Sequence, residues 1–260
     1  MRVIACTGLL LSALAAPAQP AAWVNVKGQV VLPGNDPIPK RAALVVNQDM
    51  KHCLQNGPIL DEKILVNPKN RGIANVVVWL RPNNMNPKAA SFGPNEIHPA
   101  DANRKPADVV IDQPCCMFTP RIVPARVGDT IVVKNPAPVA HNFFWTSSNN
   151  GNLNVNLAAN QMHRFANPLV AEVTPIPFKC TVHPWMGGYV RVFDHPYYAV
   201  TDADGKFEIK NAPAGAYRVV YWHETTGFKD GKNGRFGDPV AIKDAGNGTM
   251  EMTPTEFEVK

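Results

Sequence analysis

The stretch FKCTVHPWMGG, residues Phe178 to Gly188, sets a cysteine, a histidine and a methionine three residues apart. Phe178 to Cys180 reads as the end of one strand, Thr181 to Gly188 as a turn, and Tyr189 to Phe193 as the start of an antiparallel return. A C-x2-H-x2-M loop closing two such strands can wrap three donors around one ion. The fourth donor has to arrive from a distant strand. ARVGDTIVVKNPAPVAHNFFW, residues 125–145, supplies it. There Val127-Gly128-Asp129 makes a turn and Thr130 to Lys134 a strand. Pro136 and Pro138 break that strand, and His141-Asn142 opens the next one.

The donors His141, Cys180, His183 and Met186 are two imidazoles, one thiol and one thioether. A trigonal His2Cys plane with a long axial Met describes a blue-copper electron-transfer site. The thiolate bonds covalently to copper, the imidazoles suit both Cu(I) and Cu(II), and the weak thioether favours the reduced ion. A disulfide at Cys180 would leave the rest of the pattern unexplained. Zinc sites draw on cysteine, histidine and carboxylate ligands rather than methionine.

Gly128-Asp129-Thr130, Asn135, His141-Asn142 and Cys180-Thr181-Val182-His183-Pro184-Trp185-Met186 together resemble a cupredoxin of the plastocyanin/amicyanin type. The short ligand loop with proline after the histidine is most similar to amicyanin. The resemblance implies one type 1 copper, held by His141, Cys180, His183 and Met186, that carries single electrons. It gives Asn142 the task of tying the two ligand-bearing segments together by hydrogen bonds. It also implies that electrons pass through an exposed edge of His183, beside aromatics such as Trp185. Thr146 to His163 departs from the simplest members of the family. It reads as a long Asn-rich loop that covers the metal or shapes a partner surface.

Outward from this centre the chain is all-β. It carries 25 prolines and 18 glycines in 260 residues. Short β-branched runs lie between them, at Val24–Leu32, Ala42–Val46, Ala74–Leu80, Val109–Asp112, Lys206–Ile209, Tyr217–Trp222 and Glu256–Val259, in the pattern of β-sandwiches. Thr201-Asp202-Ala203-Asp204-Gly205-Lys206-Phe207 and Pro213-Ala214-Gly215-Ala216-Tyr217 resemble the second half of a carboxypeptidase regulatory-like (transthyretin-like) β-sandwich. Gly28-Gln29-Val30-Val31 and Ala74-Asn75-Val76-Val77-Val78 resemble its first half. The expected organisation is a leader over residues 1–18, the first part of this smaller sandwich over 23–96, a Greek-key cupredoxin domain over 97–194, and the second part of the sandwich over 195–260. The cupredoxin is inserted into one discontinuous sandwich or lies beside a second one in series.

MRVIACTGLLLSALAAPAQ has the charged start, apolar run and small-x-small site of a secretory signal peptide. The chain is therefore expected to be exported, periplasmic or extracellular, with no later apolar run long enough to span a membrane. Four cysteines follow the leader: Cys53, Cys115, Cys116 and Cys180. With Cys180 assigned to a metal, one disulfide remains open to Cys53, with Cys116 or Cys115. The formal net charge of +5 is scattered, without the basic stripe of a nucleic-acid binder. A redox partner protein is the expected partner, and cell-surface association is a further one. The chain holds no G-x-S-x-G, H-E-x-x-H or phosphate-cradling loop, and no second His-rich copper site, so an enzyme is not expected. The alternatives to electron transfer are copper handling without electron exchange and a cell-surface structural role.

Overall fold

A computed structural model describes residues 22–86 and 91–259. The leader expected over 1–18 lies outside the described residues. The chain opens with β1 (Trp23–Val31), runs through a long irregular segment holding the helical turn α1 (Met50–Cys53), and reaches β2 (Val77–Pro82). Its middle carries β3 (Asp108–Asp112), β4 (Ile122–Arg126), β5 (Thr130–Asn135), β6 (His141–Thr146), β7 (Asn152–Leu157), β8 (Gln161–Arg164), β9 (Ile176–Lys179) and β10 (Gly187–Phe193). Its last part carries β11 (Tyr198–Val200), β12 (Lys206–Pro213), β13 (Gly215–His223), β14 (Gly227–Phe228), β15 (Asp238–Ile242), β16 (Thr249–Glu251) and β17 (Thr255–Glu256).

These strands form two sandwiches. In the middle one, the sheet β4-β10-β9-β6-β7 faces the sheet β3-β5-β8. Inward side chains from both, among them Ile111, Val123, Ile131, Val133, Phe143, Trp145, Phe178 and Val190, fill one core. The parallel pairs β3/β5 and β4/β10 require crossovers between the two sheets. In the outer sandwich, β1 pairs with β12, β16 and β17, while β2 pairs with β11 and β13. Strands from both ends of the chain thus share each outer sheet.

The run Val76 to Leu80 is buried throughout, and the packing explains why it does not alternate. Val78 and Leu80 face the outer core with Val219 and Tyr221. Val77 and Trp79, with Val220 and Trp222, face Ile122 and Phe193 of the middle sandwich. A strand covered on both faces gains from apolar residues at every position. Arg121 and Glu224 join the two sandwiches at the edge of this layer, Nη2 to Oε2 at 2.6 Å, with side chains only 9% and 4% exposed.

Two expectations are corrected. Ala42–Val46 is not a strand: Ala43 makes an isolated bridge with Leu60, and Val45 stands 84% exposed. The segment is fixed by Val46 and Cys53 entering the middle core instead of by a ladder. Ile97 packs against the outer core. Thr146–His163 is not a loop. Its Asn-Leu-Asn-Val-Asn-Leu alternation builds β7, which pairs along all of β6, and β8 follows it. Asparagine on the outward positions hid an ordinary two-residue period.

Candidate metal centre

Two close approaches shape the Cys180–Gly188 loop. Lys179 pairs with Gly187 and Phe178 with Gly188, so β9 and β10 clamp the loop ends. A Cβ on Gly188 would lie 2.3 Å from the Arg121 carbonyl oxygen and 2.5 Å from the Phe178 ring, so this position requires glycine. Inside the loop, Cys180 donates its N–H to the Met186 carbonyl at 3.2 Å and Met186 donates to the His183 carbonyl at 2.9 Å. The second ligand-bearing segment is shaped by Asn135. Its Nδ2 donates to the carbonyls of Val139, Leu157 and Ala158, and its Oδ1 accepts the Ala137 N–H, which folds the proline-broken turn before His141.

This brings His141, Cys180 and His183 together, with donor atoms all within 4.8 Å of one another. His141 Nδ1 stands 3.0 Å from His183 Nδ1, and Cys180 Sγ stands 3.8 Å from His183 Nδ1. Donors bound about 2.0–2.3 Å from a common ion stand roughly 3–4 Å from one another. The spacing therefore fits an ion between them. Met186 is buried in the same core as Cys180, at 1% exposure each. His141 and His183 are fully buried, and His141 Nε2 has no hydrogen-bond partner among the described residues.

Burial by itself would raise the Cys180 thiol. Side-chain hydrogen bonding with His141 and His183, together with the backbone N–H groups of His183 and Asn142, outweighs it and brings the pKa down to about 6. Both N–H groups reach Sγ at 3.3 Å. A thiol so placed is a thiolate at neutral pH, the form that binds metal. For His183 the balance runs the other way. Burial lowers its pKa, but Cys180 and then Asp49 raise it more.

Asn142 ties the two segments, as the resemblance implied. Its backbone bonds Cys180, and its Oδ1 accepts the Thr181 N–H at 3.2 Å. Its own amide donates to Asn154 Oδ1, Asn156 Oδ1 and the Val155 carbonyl. Asn154 and Asn156 were missed in sequence. The alternation of β7 was the signal that could have found them.

One expectation about the site fails. His183 has no exposed edge: its Nε2 lies 2.9 Å from Asp49 Oδ2, and its ring packs 5.1 Å from Trp185. Asp49 precedes α1, in a segment that carries no local signal of this contact. The covering segment is fastened by a disulfide between Cys53 and Cys116, Cα to Cα 5.4 Å, while among the described residues Cys115 and Cys180 form no disulfide. Cys53 and Cys116 also lie within 4.8 Å of a His183 ring nitrogen, but their sulfurs are spent on each other. His195 and His223 are buried, and Glu224 holds Arg121.

Fold and site together define a two-sandwich protein with a buried two-histidine, one-cysteine centre. No protein-family model and no curated protein matches the chain. Among solved structures, a purple cupredoxin from Nitrosopumilus maritimus is similar at 21% identity and a TM-score of 0.28, covering 33% of this chain and 100% of that one. A copper-containing nitrite reductase from Thermus scotoductus is similar at 18% identity and a TM-score of 0.31, covering 35% of this chain and 23% of that one. An amicyanin variant in its reduced state is similar at 19% identity and a TM-score of 0.29, covering 44% and 99%.

Proposed function

We propose that this chain is an exported blue-copper protein of the cupredoxin kind, carrying single electrons through one type 1 site. The observation that carries the reading is the convergence of His141 Nδ1, His183 Nδ1 and Cys180 Sγ in a buried pocket of the core. Copper bound there would supply one-electron exchange between Cu(I) and Cu(II). The chain's own residues do the rest. Cys180 offers a thiolate at neutral pH, steadied by two backbone N–H groups. His141 and His183 aim their Nδ1 atoms at one point, and Met186, buried in the same core, would supply the thioether. The surrounding core, with Phe143 and Phe178, keeps water away. A rigid, dry donor set limits rearrangement between oxidation states, which suits electron exchange.

The Cys53–Cys116 disulfide supports an oxidising compartment, in line with a periplasmic or extracellular location. Among the described residues no helix is long and apolar enough to cross a membrane. We read residues 97–194 as the cupredoxin domain. The outer strands form a carboxypeptidase regulatory-like sandwich that docks a redox partner protein or a cell-surface structure, and the chain has no catalytic role of its own. A second reading, copper retention or delivery without electron exchange, is favoured by the closure over His183.

One titration separates these. Cu(II) added to the metal-free protein should give an intense thiolate-to-copper absorption, bleached reversibly by a reductant and missing in Cys180→Ser. Tight Cu(I) binding without that band would point to copper handling. A Cys180→Ser variant that still turns blue would end the assignment.

A further inference from the structure

Asp49 is separated from His183 by 134 positions, yet its carboxylate reaches His183 Nε2 at 2.9 Å. The backbone there is built to hold it. Asp49 sits at φ 47°, ψ 34°, a left-handed conformation that aspartate tolerates better than most residues. Its carbonyl accepts the N–H groups of His52 and Cys53, both at 2.9 Å, so α1 winds directly from it. Cys53 at the end of that turn is bonded to Cys116. Cys116 in turn accepts the Trp185 Nε1–H at its carbonyl, at 3.1 Å, and Trp185 packs on His183. The connections thus close a ring from Asp49 through the disulfide back to His183. Outside it, Met50 is 55% exposed and the Asp49 side chain 34%, whereas the His183 side chain is fully covered.

We infer that Asp49 is a positioning residue for His183: its carboxylate, pinned over the imidazole by the Cys53–Cys116 disulfide, fixes which ring nitrogen faces Cys180. An ionised carboxylate only accepts hydrogen bonds, so the proton of a neutral His183 sits on Nε2. That leaves the Nδ1 lone pair turned toward His141 and Cys180. The same contact makes the imidazole more electron-rich, as an outer carboxylate does for a metal-bound histidine. It also closes the ring edge through which electrons were expected to pass, so exchange has to proceed through the Asp49–Met50 cap. The part of this inference that concerns copper rests on the reading proposed above.

Two measurements test it. The first needs no metal. In the full chain carrying Cys180→Ser, nitrogen-15 NMR near pH 8 should find His183 protonated on Nε2. Adding Asp49→Ala should abolish that preference, and Asp49→Glu should restore part of it. The second uses the Cu(II)-loaded protein. Asp49→Asn, which keeps the side-chain shape, should keep the blue band. It should raise the reduction potential, because a negative charge that favours the more positive oxidised ion is gone. Copper loss to a chelator should quicken by about tenfold or more. The pair Cys53→Ser and Cys116→Ser should shift the potential the same way by releasing Asp49. A His183 without tautomer preference, or Asp49 variants with wild-type tautomer, potential and copper retention, would overturn the inference. A protein that takes up no copper would instead remove the copper reading and leave the NMR result to decide the role of Asp49.

Discussion

Asn142 donates its backbone N–H to the sulfur of Cys180 at 3.3 Å, across 38 positions of sequence. Its side chain simultaneously accepts the Thr181 N–H and donates into β7, so one residue sets the distance between the two ligand-bearing strands. Asn142→Ala should leave Thr181, Asn154 and Asn156 short of a partner and cost about 1–3 kcal/mol in chemical denaturation. Copper competition against a chelator should show a loss of roughly tenfold or more in affinity. Unchanged affinity in a folded variant would reduce Asn142 to a packing residue.

The Cys180 thiol titrates low because hydrogen bonds favour its charged form. In the metal-free Cys115→Ser protein, Cys180 is left as the free cysteine among the described residues, and its ultraviolet thiolate absorbance should rise with a midpoint near 6. An unfolded thiol titrates near 8.5. The folded value is the lower one, so the contribution to stability is complete above the unfolded pKa and fades as pH falls through the folded one. Denaturation curves of this protein and its Cys180→Ser counterpart should therefore converge between about pH 9 and pH 6. A midpoint at or above the unfolded value contradicts the assignment.

Gly187 and Gly188 look equivalent in sequence and are not. The nearest atom to a Cβ at Gly187 is the Phe178 carbonyl oxygen at 3.4 Å, whereas at Gly188 it would strike the Arg121 carbonyl at 2.3 Å. Gly188→Ala should cost about 1–3 kcal/mol as an overpacking change and loosen the ligand loop. Gly187→Ala should be tolerated. Equal melting temperatures for the two variants would count against the described packing of β10.

Arg121 and Glu224 form the buried ion pair between the sandwiches. Glu224→Ala leaves a buried guanidinium unpaired and should destabilise by about 3–5 kcal/mol. Replacing both residues, Arg121→Met with Glu224→Leu, should cost less than the single change, since no stranded charge remains. Thermal unfolding of the three proteins checks this. A single variant as stable as wild type would mean that the sandwiches do not meet through this pair.

The candidate donors were legible in sequence because donor chemistry and loop spacing are local. Cys180, His183 and Met186 lie in one turn between two readable strands, and His141 follows a proline-broken strand. The Ala74–Leu80 run was legible as a strand, which the fold begins at Val77, but nothing in it says that its two faces meet different sandwiches. The Asn-rich stretch misled because asparagine usually marks turns, whereas in β7 it occupies the outward face of a paired strand.

By itself the sequence determined that the chain is β-rich, where the donors lie, and that a thiol, two imidazoles and a thioether are the chemistry on offer. Only the tertiary structure decided that Cys116 takes Cys53, that Asp49 covers His183, and that strands from both ends of the chain share the outer sheets. The difference is one of range. Side-chain type and alternation are written residue by residue, whereas a contact across 134 positions depends on how two sandwiches and a tethered segment pack around one core.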